Sequence, residues 1–175
     1  DYYLTNDFSA SGERKYHAAE IPGSAHPFKP VAVRVKNNAN VTTDNLLSVE
    51  PVTIEVEYEL STDITGLRVG IYLMTSRGEY VLTSFDTDAP DKFQAFGVRK
   101  AGRYVSRCTV PADTLNEGRF VIGINASSYM VKRYFADERA INFNINATGA
   151  PGMQWVEVRQ GPLRPRLDWR IEEVH

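Results

Sequence analysis

Carboxylates, arginines and aromatic rings are the side chains through which this chain has chemistry to offer. Glu55, Glu57 and Glu59 alternate along one stretch, and Asp86, Asp88 and Asp91 crowd another. Two carboxyls facing each other about 5–10 Å apart in a cleft would make a glycosidase. The glutamates, however, alternate with Ile54, Val56 and Tyr58, which puts all three on the solvated face of a strand. The run Asp-Thr-Asp-Ala-Pro-Asp at 86–91 offers hard oxygen ligands for calcium but lacks the glycine of an EF-hand, so it reads as a solvated or sugar-contacting loop. His17, His26 and His175 show neither HxH nor HExxH spacing, so no zinc site is expected. There is no GxxxxGK[ST] phosphate loop and no GxSxG elbow. The reading is therefore of no catalytic residue, no metal and no cofactor. Asn-x-Ser/Thr triplets begin at Asn40, Asn125 and Asn146 and are taken as chance, since Asn125 falls inside a predicted strand.

Binding chemistry is better represented. Arg68, Tyr72 and Met74 alternate with Leu67, Val69, Ile71 and Leu73, and so share the outward face of a strand. Asn125 and Ser127 take the same position on a second strand, and Tyr129 and Arg133 follow in the next loop. Aromatic rings cover the C–H faces of a sugar, while Arg and Asn make paired hydrogen bonds to its hydroxyls. These seven residues are the candidate glycan site if the two strands lie in one sheet. Gly70 and Gly123 are expected to leave room for a ligand above it. Arg68 and Arg133 would suit an acidic group such as a carboxylate or phosphate.

The elements that must position these residues are short strands. Val52–Leu60 is the clearest, with Val52, Ile54, Val56, Tyr58 and Leu60 on one side. Leu67–Thr75 turns through Arg77-Gly78 into Tyr80–Phe85, a predicted hairpin. Strands are also predicted around Val31–Val35, at Tyr104–Val110, at Arg119–Ser127 and at Ala140–Ile145, with loops at 86–94 and 129–139 and one helical turn over 113–118. Val156 and Val158 suggest one more strand, and Trp169 a packing plug. Some seven strands with one apolar and one polar face predict an all-β, immunoglobulin-like antiparallel β-sandwich.

The chain has 175 residues, enough for one domain with a full core. Residues 1–30 lack strand or helix periodicity and are rich in Ser, Gly and Pro, so they are expected to be a linker or N-terminal strap. The sandwich with its closing segment is expected over 31–175. A net charge of −2 without a Lys/Arg run gives no face for nucleic acid. Cys108 is the only cysteine, which leans towards a reducing compartment, and its place in a strand suggests a buried hydrophobe rather than a reactive thiol.

Laid out in order, the strands resemble the C-terminal domain of Wzt-type polysaccharide (O-antigen) ABC exporters. The residues that carry the resemblance are Val52–Leu60 after Ser-Val-Glu-Pro, Leu67–Leu73 into Arg77-Gly78, and Thr83–Asp88. Beyond these come Val110-Pro111, Leu115, Gly118-Arg119-Phe120, Ala140–Ile145, and the tail Gly161, Arg164-Pro165, Leu167 and Trp169. Phe120 stands where Tyr is more usual in that family. The resemblance implies a cytoplasmic domain at the inner-membrane face, appended to a transporter ATPase that works with a membrane subunit. It also implies a homodimer that binds the non-reducing end of an O-antigen glycan, and it makes 1–30 the linker from the ATPase. Two rival readings are an Ig-like adhesive domain working through sheet edges, and a glycan-processing enzyme using two of Glu55, Glu57, Asp86 and Asp88.

Overall fold

Alternating apolar residues at this spacing have to be buried from two sides, and two facing sheets do so. A computed structural model describes residues 12–175. Its strands, in chain order, are β1 (Glu13–Lys15), β2 (Phe28–Lys36), β3 (Asn45–Leu47), β4 (Val52–Leu60), β5 (Ile64–Thr65) and β6 (Leu67–Thr75). There follow β7 (Tyr80–Phe85), the helix α1 (Pro90–Ala95), β8 (Val98–Arg99), β9 (Gly102–Val110), β10 (Gly118–Ser128) and β11 (Lys132–Asn146). One sheet has the order β1-β2-β4-β9, the other β3-β11-β10-β6-β7, and β5 and β8 make a small ribbon. Pairing is antiparallel except between β3 and β11. The fold is an all-β, immunoglobulin-like sandwich.

The core is the set that the alternation selects. Ile54 and Tyr58 of β4 meet Leu73 of β6, Ile122 of β10 and Ile141 and Phe143 of β11, all essentially without solvent contact. Each such side chain contributes about 1.5–3 kcal/mol by leaving water. The predicted hairpin forms between β6 and β7, with Gly78 at φ +87° closing the turn that Thr75 and Glu79 bracket.

On the outer face of the first sheet the three glutamates stand in a cross-strand ladder of charge. Arg34 bonds Glu13, Glu55 and Glu57; Arg107 bonds Glu55 at 2.8 Å, Lys36 lies 3.3 Å from Glu55, and Arg103 lies 2.7 Å from Glu57. Glu55 is 3% exposed. Burial pushes its carboxyl up, and the hydrogen bonds from Arg107 and Lys36 more than offset this, leaving it below the ordinary carboxylate range. Glu57 is held low mainly by its hydrogen bond from Arg34. These carboxylates neutralise arginines of their own sheet instead of facing one another across a cleft.

Several expectations are corrected. The loop at 86–94 contains α1, because Ala89 takes an extended N-cap conformation, Pro90 sits in the first helical turn, and Asp91 complements the exposed N–H groups there. Residues 113–118 form no helical turn: Leu115 bridges Leu163 of the tail, and Asn116 binds the carbonyls of Arg159, Gly161 and Pro162. The 129–139 loop is mostly strand, since β11 begins at Lys132 and absorbs its polar residues in a bulge opposite Gly123. Val156 and Val158 are exposed and outside any strand, and Trp169 is 83% exposed rather than a plug. Within the segment expected as a linker or strap, β1 pairs with β2, which begins at Phe28; residues 1–11 of that segment lie outside the described residues.

Candidate functional site

Paired residues of adjacent antiparallel strands project to the same side. Arg68 of β6 pairs with Ser127 of β10, which pairs with Arg133 of β11, so these three predicted residues form one row across the outward face of the second sheet. Asn125 lies one row along, between Gly70 and Ala136. Tyr72 is a further step away opposite Gly123, edge-on to Tyr80 at 5.8 Å. Met74 pairs with Val121, and both are buried, at 6% and 1% exposure, so Met74 offers no open contact surface.

The two glycines do not leave the sheet bare. A Cβ on Gly70 would lie 2.3 Å from the Phe85 ring, and one on Gly123 2.7 Å from the Glu138 carbonyl oxygen. Phe85 of β7 pairs with Gly70 and covers it, while the β11 bulge covers Gly123. The space the sequence assigned to a ligand is filled by the protein itself, and the open volume lies elsewhere.

It lies at the Arg68 end of the row. The Arg68 guanidinium sits 3.9 Å from the centroid of Phe85 and 4.7 Å from that of Tyr129, with one ring on each contact. Arg68, Tyr129, Asp88, Phe93 and Phe96 line a cavity of about 200 Å³. Tyr129 and Phe93 are 67% and 66% exposed, which is unusual for rings of this size unless they have something to cover. A larger open groove of about 780 Å³ begins at Arg133, between β11 and the stretch from Arg14 to Ser24. Its floor is a closed set of bonds: Arg14 to Glu20 at 2.6 Å, and Tyr16 donating to Asp137 at 2.7 Å.

A buried polar staple fixes the aromatic end. Arg99 of β8, 2% exposed, donates to Asp86 at 2.7 Å, to the Tyr58 hydroxyl at 2.6 Å and to the Leu67 carbonyl at 3.1 Å. Asp86 also accepts from Ser106 at 2.7 Å and from the Val69 amide at 3.0 Å, and its own amide returns to the Val69 carbonyl. Asp88 then accepts from the Phe85 amide at 3.0 Å, which sets where α1 starts. The aspartates read as possible calcium ligands or acids are thus spent on holding the loop. Phe96 lies against Arg99, whose guanidinium carbon is 5.3 Å from the ring centroid.

Sequence reasoning missed Phe85, Phe93 and Phe96. A signal existed for each. Phe85 is the aromatic cross-strand partner that an exposed-face glycine attracts. Phe93 and Phe96, three apart after Ala-Pro-Asp, have the spacing of one helix face.

Comparison with known proteins gives a consistent result. A family model described as the Wzt C-terminal domain matches residues 29–156. A solved structure titled "Crystal structure of the C-terminal domain of wzt" superposes with a TM-score of 0.66 at 13% sequence identity, covering 83% of this chain and 84% of that one. At that identity the likeness is one of fold. A search of curated proteins found no match.

Proposed function

The chain belongs to the Wzt C-terminal domain family, and from that premise we propose that it serves an O-antigen ABC exporter by binding the non-reducing end of the polysaccharide. The role is non-catalytic: binding licenses a finished glycan for export, while ATP hydrolysis belongs to the attached ATPase and passage to the membrane subunit. The observation that carries this reading is the Arg68 guanidinium held between Phe85 and Tyr129 above a cavity walled by Phe93 and Phe96. Rings for C–H faces around a planar donor are the chemistry a sugar needs, and a small half-open cavity at one end of a sheet face suits a chain end better than a chain middle. Binding is shallow, so affinities per site fall in the micromolar to millimolar range. Titration of this chain with the purified O-polysaccharide of its source organism, followed by calorimetry or NMR, tests the reading. Saturable binding that Phe93→Ala and Tyr129→Ala weaken at unchanged thermal stability supports it. A folded protein with no binding overturns it.

The working unit we infer is a homodimer at the cytoplasmic face of the inner membrane. Among the described residues no helix is long and apolar enough to cross a membrane. Leu167, Trp169 and Ile171 alternate with charged residues and are 68%, 83% and 98% exposed, which is the pattern of a strand without a sheet. Exchange of this tail onto a second copy supplies the sheet and doubles the glycan sites. The same exposed segment is what favours the rival reading of an Ig-like domain for protein contact. The titration separates the two, since an adhesive domain binds no saccharide.

A further inference from the structure

We propose that the group recognised at the Arg68 cavity is anionic, a carboxylate or phosphate ester on the terminal sugar, and that Arg133 marks the direction in which the bound chain leaves. The inference rests on the glycan-binding reading above. Arg14, Arg34, Arg99, Arg103 and Arg107 each have a carboxylate within 4 Å. Arg68 and Arg133 have none, and neither side chain makes a hydrogen bond among the described residues.

Arg68 is the more constrained of the two. The Phe85 and Tyr129 rings take up its stacking contacts, and its Nε is buried without an acceptor. What remains to be satisfied is the rim of the guanidinium, a planar fork of N–H groups that matches a carboxylate or phosphate and fits a lone hydroxyl less well. A fixed, half-buried cation with no counter-charge is costly, and a ligand anion removes that cost. The one carboxylate in the cavity lining, Asp88, makes no ion pair with Arg68, and one of its oxygens accepts from the Phe85 amide at 3.0 Å and the Ser84 hydroxyl at 3.4 Å. Arg133 stands two strands from Arg68, about 10 Å at the backbone, with the Ser127 position between them. A glycan whose anionic end is clamped at Arg68 therefore crosses Ser127 and passes Arg133 into the 780 Å³ groove.

The test uses three samples of the source organism's O-polysaccharide: native, carboxyl-reduced with carbodiimide and borohydride, and dephosphorylated with hydrofluoric acid. Each is titrated into the wild-type chain and into Arg68→Lys and Arg133→Gln. The native glycan is expected to bind, and one treated glycan to bind roughly 10- to 100-fold more weakly, its identity telling carboxylate from phosphate. Arg68→Lys should lose a comparable factor on native glycan and lose little on the treated one. Arg133→Gln, an exposed position that keeps the fold, should weaken polymer more than a terminal monosaccharide. Equal binding of all three glycans overturns the anionic assignment and leaves glycan binding standing. No binding of the native glycan removes the functional reading itself. If Arg68→Lys proves unstable by thermal melting, the treated glycans alone decide.

Discussion

At the scale of single residues, the site depends on a side chain that would never touch the ligand. Arg99 joins Asp86, Tyr58 and Leu67, and through Asp86 it ties the segment leading to α1 onto β6 and β9. Removing one partner of such a pair strands the other in a poorly solvated place. Arg99→Met is expected to lower the unfolding free energy by about 3 kcal/mol in urea titrations and to weaken glycan binding as the loop slackens. An unchanged midpoint would mean the staple is dispensable. The ladder on the opposite face, together with the Arg14–Glu20 pair in the groove floor, predicts a pH dependence. Glu20 and Glu57 are held low chiefly by hydrogen bonds from Arg14 and Arg34; Glu55 is pushed up by burial but pulled lower overall by Arg107 and Lys36. Groups whose folded pKa is depressed contribute stability above their unfolded pKa, near 4.3 for Glu, and that contribution is lost as pH falls through the lower folded value. Melting temperature should therefore change little from these groups between pH 6 and 8 and drop steeply below about pH 4.5. A Tm that holds down to pH 3 would contradict the ladder's role.

At the scale of elements, the glycines are conditions of packing. Gly123→Ala would press a methyl to 2.7 Å from the Glu138 carbonyl oxygen, which belongs to backbone and cannot swing aside, so a loss of about 1–3 kcal/mol is expected by denaturation. Gly70→Ala meets the Phe85 ring at 2.3 Å and the Ser84 backbone carbonyl oxygen at 2.8 Å. That variant should cost a comparable amount of stability and, unlike Gly123→Ala, should also cost affinity, because moving Phe85 removes one ring from Arg68; a normal affinity would show that the ring is not needed. The strands themselves were legible because burial enforces a period of two. Val52 to Leu60, Leu67 to Leu73 and Phe120 to Ala126 have the inward faces that alternation assigns. The candidate site was legible in part. Arg68 and Ser127 share a row because alternation put both on outward faces, while the pairing of their strands was only assumed, Arg133 lies in β11 instead of a loop, Met74 is buried and the space over Gly70 and Gly123 is taken. Those outcomes depend on a bulge in β11 and a ring on β7, which are cross-strand facts that no local pattern encodes. The helix α1 hides in a polar run because its aromatic face is turned outward instead of into a core.

At the scale of the molecule, the tail is held and then released. Leu163 bridges Leu115, Arg164 donates to the Pro151 carbonyl at 3.0 Å, and Arg166 reaches Asp113 at 3.3 Å; beyond it Leu167, Trp169, Ile171 and Val174 are exposed. Deleting residues 167–175 should leave the thermal transition nearly unchanged while converting a dimer to a monomer in light scattering. A dimer that survives the deletion would place the interface elsewhere. On the proposed reading the tail pairs copies and the Arg68 end reads the glycan, so the truncated chain should keep its affinity per site and lose avidity for polymer. The measurement that tests the central claim most directly is calorimetric titration of the full chain with the native O-polysaccharide, alongside Tyr129→Ala and Phe93→Ala. The account predicts saturable binding that both variants weaken without a change in Tm. Binding that both variants leave intact would contradict the site, and a folded protein that binds no glycan at all would contradict the function.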